Sequence, residues 1–310
     1  VGSKKYSLYS VNSFNSVFFH QRHGLPNKDV VKINVDKIPT KGKVKIVAEI
    51  TTNHFGDMDR LEAMVVYAKQ AGADFVKFQK RDVESFYTVE QLDAPYKSPF
   101  GNTFRDYRQG IELNRDQFLY IDHLCNKIGI GWFASVLDMP SYEFMLEFNP
   151  KFIKLPSTIS EHKNFLKSVA KKHIDNVVIS MGYTNKEFEE FIISNFTNVK
   201  KLYLLQCTSS YPAPDKDTQI GVVRHYYNLS KSNSKIIPGF SSHDVGSLCS
   251  MMAVAAGAAM IEKHVKFGHV PWSHFDEVAV DLENGEFDKF VSDIRHSEEI
   301  VGGEDKVIHE

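Results

Sequence analysis

A (β/α)8 TIM barrel is the fold this sequence predicts, on three observations. Short β-branched or aromatic runs alternate with amphipathic stretches from Val44 onward. Eight such runs fall within about 250 residues, the usual size of that barrel. Titratable and hydroxyl side chains gather at the C-terminal ends of the runs, where barrels of this type carry function. A doubly wound sheet is the competing arrangement, but it rarely uses eight parallel strands.

The elements follow in order. Residues 1–43 are polar and aromatic and form an N-terminal extension. A small hairpin is expected there over 31-VKINVDKIPTKGKVKI-46, with its turn at Pro39 to Gly42. The barrel is expected over 44–302. Its strands are 44-VKIVAEI-50, 75-FVKFQ-79, 130-IGWFAS-135, 152-FIKLP-156, 177-VVIS-180, 202-LYLLQC-207, 236-IIPGF-240 and 259-AMIEKH-264. Helices fill most gaps, among them 58-MDRLEAMVVYAKQAG-72 and 115-RDQFLYIDHLCNKIG-129. Asn114 can cap the second of these by accepting an orphan amide, and Gly129 can stop it in the left-handed conformation. The stretch 81–113 after the second strand is expected to be a loop over one mouth of the barrel. Residues 303–310 read as the start of a C-terminal linker. No linker-like stretch divides 44–302, so one barrel is the economical reading.

Composition narrows the function classes. Hydrophobic residues at 42% and charged residues at 25% place the chain among globular proteins. A formal charge of −2 gives no electrostatic footprint for nucleic acid or an anionic membrane. No run approaches the ~18 consecutive apolar residues of a membrane span. Cys125, Cys207 and Cys249 lie far apart without a C-x-x-C spacing, which predicts a reducing, cytoplasmic setting.

The strand ends carry Glu49, Lys77 and Gln79, Ser135, Lys154 and Ser157, Ser180, Cys207 to Tyr211 (including Ser209), Ser241 to His243, and Glu262 with His264. The period of two puts Lys77 and Gln79 on one strand face, and Glu262 and His264 on another, with Lys263 turned away as a structural residue. Taken singly, a strand-end lysine is usually a solvated terminus, a lone histidine is usually structural, and serines after strands usually begin turns. Their joint placement at one barrel mouth is what those readings leave unexplained. His243 and His264 end neighbouring strands, ~4.8 Å apart, so their imidazoles can converge on one ion. Two histidines with open positions suit Mn²⁺, Fe²⁺, Zn²⁺ or Co²⁺ better than Ca²⁺. His269 and His274 are rival ligands, but a loop position favours solvation for both. Lys77, Lys154 and the hydroxyls suit a small phosphorylated, carboxylated anion.

The segments 47-VAEITTNHFGD-57, 71-AGADFVKFQK-80, 206-QCTSSYPAP-214, 239-GFSSHD-244 and 257-GAAMIEKH-264 resemble the sialic acid synthase family in order and spacing, over about residues 44 to 302. The resemblance implies a barrel that condenses phosphoenolpyruvate with the open-chain aldehyde of an acetamido sugar. The products would be a nonulosonic acid and phosphate. Carried over by position, His243 and His264 would hold a divalent metal, Mn²⁺ foremost, with Mg²⁺ or Co²⁺ as alternatives. Lys77, Lys154, Ser135, Ser157, Ser180 and Ser241 would bind phosphoenolpyruvate, and Glu49 would position or deprotonate the attacking water. Gln79, Tyr211, Asn53, Ser209 and Asp276 would order the substrates. The resemblance also implies a homodimer and a small C-terminal antifreeze-like domain, which a chain ending at Glu310 stops short of.

The chain departs from the family pattern at several positions. Ile159 stands where the family has an acid that contacts the sugar, and Ser242 stands where it has an aspartate. The usual Ser-Thr-Gly-Met is 180-SMGY-183, and the loop after the last strand reads 271-PWSHFDE-277. The positions for anion and metal are kept while those for the sugar drift, so the expected acceptor differs from plain N-acetylmannosamine. Two other readings stand beside this one. One is a catalytically lapsed barrel that binds a sugar or phosphate. The other is a phosphoenolpyruvate aldol synthase of the octulosonate or heptulosonate type.

Overall fold

The computed structural model describes Phe18–Phe19, Val31–Lys32, residues 43–270, 275–303, 305–306 and 308. Eight parallel strands form its centre: β1 (Lys45–Thr51), β2 (Phe75–Lys80), β3 (Gly131–Val136), β4 (Ile153–Leu155), β5 (Asn176–Ser180), β6 (Lys201–Gln206), β7 (Ile236–Ser242) and β8 (Met260–Lys266). Each pairs with the next, and β8 pairs back onto β1 through Met260↔Lys45 to His264↔Glu49. The sheet therefore closes into the predicted barrel. A two-residue strand, β9 (Val280–Asp281), pairs in parallel with the end of β8 at Val265 and Lys266.

The helices are α1 (Met58–Ala71), α2 (Arg115–Ile128), α3 (Met139–Leu146), α4 (Lys163–Lys172), α5 (Lys186–Asn195), α6 (Gly221–Ser232), α7 (Leu248–Ala255) and α8 (Glu286–Val301). Their termini obey local chemistry. Asn114 accepts from the Gln117 amide at the start of α2, Gln117 answers in a capping box, and Gly129 ends the helix at φ 72°. Asp57 caps α1 in the same way by accepting from Asp59 and Arg60.

Two sequence expectations change. The hairpin over 31–46 is not the pairing observed: Val31–Lys32 runs antiparallel to Phe18–Phe19, while Lys45 and Ile46 belong to β1 and pair with β8. Its expected turn at Pro39 to Gly42 lies outside the described residues. Barrel closure decides the matter, because β1 must pair on both edges. The stretch 81–113 is also more than a loop. It contains two short helices, a hairpin (Pro95–Ser98 with Gly101–Thr103) and the helix Phe104–Ile111.

Inside the barrel, Val47, Phe75, Phe133, Phe152, Val178, Tyr203, Leu205 and Met260 form one apolar cluster. Phe75 meets Phe133 and Phe152 edge-on, with centroids 5.9 and 5.2 Å apart. Gly131 makes room for this arrangement, since a Cβ there would lie 2.3 Å from the Phe75 ring. A second, larger core joins the outer strand faces to the helices. Burying each phenylalanine contributes about 2–3 kcal/mol, so the inner cluster plugs the barrel firmly below the mouth.

Candidate active site

The site begins one strand step above that plug. Because side chains alternate, the residue two positions after an inward apolar residue also faces inward. Val47 is thus followed by Glu49, Phe75 by Lys77, Phe133 by Ser135, Phe152 by Lys154, Val178 by Ser180 and Met260 by Glu262. Strand register then sets neighbours: Glu49 beside Lys77 and His264, Ser135 beside Lys154, and Ser241 beside Glu262.

Glu262 sits at the centre of this layer. Its Oε1 accepts from Lys77 Nζ at 2.7 Å, Lys154 Nζ at 2.9 Å and Ser241 Oγ at 3.0 Å. Lys77 also donates to Glu49 Oε1 at 2.8 Å. All four charged groups are buried. Burial opposes ionisation of Glu262, but Lys154 and Lys77 overcome it and hold the carboxyl well below the usual range. Burial prevails at Glu49, whose carboxyl is pushed up to about 7 against the pull of Lys77. It prevails at Lys154 too, lowering that ammonium despite Glu262. At Lys77 burial is outweighed by Glu262 and Glu49, which raise it.

The imidazoles stand beside this network with ring centroids 5.6 Å apart. His243 Nδ1 donates to the Thr208 carbonyl at 2.7 Å, which leaves Nε2 as the lone-pair nitrogen. Thr51 Oγ1 donates to Glu49 Oε1 and is 3.2 Å from His264 Nδ1, so His264 Nδ1 is the donor there and its Nε2 is free. That Nε2 faces Glu49 Oε2 at 3.6 Å. Burial lowers His243 to about 4 and His264 well below its usual value, so both rings are neutral at pH 7. Two neutral imidazoles with lone pairs on Nε2, that of His243 3.4 Å from the Tyr211 hydroxyl and that of His264 opposite a carboxylate oxygen, are a donor set that fits a divalent cation. Among the described residues, no group of three or more His, Cys, Asp or Glu is arranged to hold a metal ion.

One cavity of about 50 Å³ collects Glu49, Lys77, Gln79, Ser135, Lys154, Ser157, Ser180, Tyr211, Ser241, His243 and His264. It has room for only a few waters. Phe275 lines it as well, stacked on the His264 ring at 4.4 Å. A larger pocket of about 960 Å³ opens beside it, lined by Tyr183, Asn185, Thr208, Ser209 and His225 among others. Ser209 hydrogen-bonds Ser157 at 3.0 Å and so joins the two spaces. Gly182 permits this contact, because a Cβ there would lie 2.3 Å from Ser209 Oγ.

Three predicted residues stand off the cavity. Asn53 donates to the Val265 carbonyl at 2.8 Å and ties the β1–α1 loop to β8. Ser209 lines the outer pocket. Asp276 is engaged by Lys266 at 3.0 Å, the Val270 amide at 2.7 Å and His269, and holds its own loop together. His269 is mostly exposed in that loop, and His274 lies outside the described residues. Ile159 is fully buried in the outer core, and its neighbour Thr158 lines the cavity instead. Glu262, on the same strand face as His264, is partnered by the lysines. Two inward lysines with only Glu49 between them are the sequence signal that a second buried anion is required. Thr51 and Phe275 carry no such signal. Lys263, outside the barrel, donates to Ser242 Oγ at 2.9 Å and to the Asp244 carbonyl, as a structural residue should.

Fold and site together define a (β/α)8-barrel enzyme with a buried anion-binding layer and a neutral imidazole pair at the C-terminal mouth. Residues 64–306 match the model of the NeuB family, and the chain belongs to that family. It is 32% identical over 265 residues to the N-acetylneuraminate-9-phosphate synthase of Homo sapiens, covering 84% of this chain and 72% of the relative. It is 29% identical over 273 residues to the N,N'-diacetyllegionaminic acid synthase of Legionella pneumophila, covering 84% and 74%. The crystal structure of N-acetylneuraminic acid synthetase from Leptospira borgpetersenii superposes with a TM-score of 0.72 at 24% identity, covering 96% of this chain and 94% of that one. This last likeness is one of fold.

Proposed function

We propose that this chain condenses phosphoenolpyruvate with the open-chain aldehyde of an acetamido sugar, forming a nonulosonic acid and releasing phosphate. The observation that carries this reading is the pair Lys77 and Lys154, held on one buried carboxylate within reach of two neutral imidazoles. Two ammonium groups and the hydroxyls of Ser135, Ser157, Ser180 and Ser241 can bind a carboxylate and a phosphate while the barrel wall excludes water. That arrangement fixes the enol face, which is chiefly a positioning effect.

His243 and His264 would hold the divalent metal, Mn²⁺ first, which when bound supplies Lewis acidity toward the aldehyde oxygen. The remaining steps belong to the chain's own residues. As enol C3 bonds to the aldehyde carbon, positive charge develops at C2, and the Glu49 carboxylate stabilises it. Glu49, with a carboxyl at about 7, can take a proton from the water that adds to C2, and collapse of that adduct expels phosphate. Gln79 and Tyr211 orient the two substrates from the cavity wall.

The three buried, unpaired thiols Cys125, Cys207 and Cys249 agree with a cytoplasmic setting. Among the described residues, no helix is long and apolar enough to cross a membrane. The expected assembly is a homodimer. Incubation with Mn²⁺, phosphoenolpyruvate and a panel of acetamido hexoses should release phosphate, and a chelator should abolish the release. No phosphate with any sugar would sink the reading. Unchanged bound metal in His264→Ala would overturn the ligand assignment alone.

A further inference from the structure

Thr51 ends β1 in a backbone conformation that a β-branched residue rarely adopts. Its φ is 53°, in the left-handed region where Cβ crowds the backbone. Such strain persists only where the surroundings over-determine it, and it gathers at functional sites. Here the surroundings act from several sides. The Asn53 amide donates to the Ile50 carbonyl at 2.9 Å and closes a tight turn with Thr51 as its first central residue. The Asn53 side chain donates to the Val265 carbonyl at 2.8 Å, one residue past His264 on β8. Arg60 holds that clamp from α1, donating to the carbonyls of Asn53 at 2.7 Å and Phe267 at 3.0 Å. A bulge completes the arrangement: Glu49 pairs with Lys77 but Thr51 pairs with Phe78, so two residues of β1 oppose one of β2. Glycine is what this backbone favours. What threonine adds is a hydroxyl.

That hydroxyl is buried between two groups of the site. Thr51 Oγ1 lies 3.2 Å from Glu49 Oε1 and 3.2 Å from His264 Nδ1. Glu49 Oε1 already accepts from Lys77 at 2.8 Å, so it is an acceptor toward Thr51 as well. The single hydroxyl proton is thus spent on Glu49, and toward His264 the oxygen can only accept. This selects the His264 tautomer with its proton on Nδ1. Among the described residues, no other hydrogen-bond partner meets Nδ1. The alternative tautomer would put the proton on Nε2, opposite Glu49 Oε2 at 3.6 Å, where the carboxylate would retain it. The lone pair through which His264 can meet a cation would then be lost.

We propose that Thr51 is a positioning residue of this site, its strained backbone delivering a hydroxyl that fixes the tautomer of His264 and the orientation of Glu49 together. The inference rests on the proposed condensation for the roles of those two groups, as a cation ligand and as the carboxylate that activates water. A loop clamped to β8 holds one oxygen against both, so the pair is set before any ligand arrives.

The test uses the whole chain with Mn²⁺ as the probe. Calorimetric Mn²⁺ affinity should fall about tenfold or more in Thr51→Val, which keeps the shape and loses the hydroxyl, and stay within about threefold in Thr51→Ser. Nitrogen-15 spectra of the metal-free chain should place the His264 proton on Nδ1 in the unaltered protein and in Thr51→Ser, but on Nε2 in Thr51→Val. Thr51→Gly loses the hydroxyl and the strain together. It should withstand more urea than Thr51→Ala yet bind Mn²⁺ as weakly, which keeps the test open if Thr51→Val does not fold. Unchanged affinity in the variants without a hydroxyl, an equal loss in Thr51→Ser, or a proton that stays on Nδ1 without the hydroxyl overturns the role. The expected order of affinities, with no phosphate released from any acetamido hexose, would uphold Thr51 while the condensation reading fails. Phosphate release by the unaltered chain, with Mn²⁺ affinity alike in every variant, would do the reverse.

Discussion

Two layers of the same barrel, one strand step apart, differ in almost every physical respect. The lower layer is Val47, Phe75, Phe133, Phe152, Val178, Tyr203, Leu205 and Met260, with the rings of Phe75, Phe133 and Phe152 edge-on to one another. The upper layer is Glu49, Lys77, Lys154, Glu262 and serines, as deeply buried but held by ion pairs. Apolar burial stabilises without needing a partner, whereas a buried charge is tolerated only when each neighbour completes it. Among the described residues the Oε2 of Glu262 has no hydrogen-bond partner, so even this network leaves one buried acceptor unsatisfied. The lower layer holds the barrel together, and the upper layer gives up stability for binding.

The comparison can be broken most severely at its centre. Glu262→Leu leaves two buried ammonium groups short of an anion. It should destabilise by about 3–5 kcal/mol and lower phosphate release more than ~100-fold. Adding Lys77→Met and Lys154→Leu should recover much of the stability, in urea unfolding, without activity. A triple variant no more stable than the single one would mean that the charges support the fold. In the lower layer, Phe133→Ala should cost about 3–5 kcal/mol through its cavity while the folded fraction keeps kcat within about threefold. Lys263→Met, on the outer face of β8, strips Asp244 and Ser242 of their cation. About 2–4 kcal/mol of lost stability is expected there, with a smaller change in kcat than any inward substitution.

The smallest effect is one of pH. Glu49 is raised from 4.5 to about 7, so the folded chain keeps a proton that the unfolded chain has lost between those values. Its contribution therefore falls as pH rises through that window and is constant above it. Chelator-treated protein should lose about 1–3 kcal/mol between pH 5 and 8 relative to Glu49→Gln, measured by denaturant midpoint. Glu262 acts in the opposite sense, since its lowered carboxyl contributes stability that is lost progressively as pH falls below 4.5. Parallel pH curves for the two proteins would show that Glu49 is ordinary.

Much of this is legible in the sequence. Alternation along each strand placed Lys77 with Gln79 and Glu262 with His264, and the caps at Asn114 and Gly129 follow from residue chemistry alone. Asp276 shows where this kind of reading stops. It lies in an irregular loop with no period to orient it, and its contacts with Lys266 and His269 are set by how that loop folds back. Ile159 shows the same limit, because a 3-10 turn rotated it into the core and Thr158 toward the cavity.

By itself, then, the sequence determined the barrel, the strand faces and the residue types at the mouth, since these depend on local period and on hydrophobic pattern. Tertiary structure alone decided which charges meet. Closure of β8 onto β1 sets Glu49 beside His264, and the barrel's curvature brings Lys77 and Lys154 from separate strands onto the single carboxylate of Glu262. Pairing across a closed sheet is a property of register and radius, and no stretch of neighbouring residues encodes either.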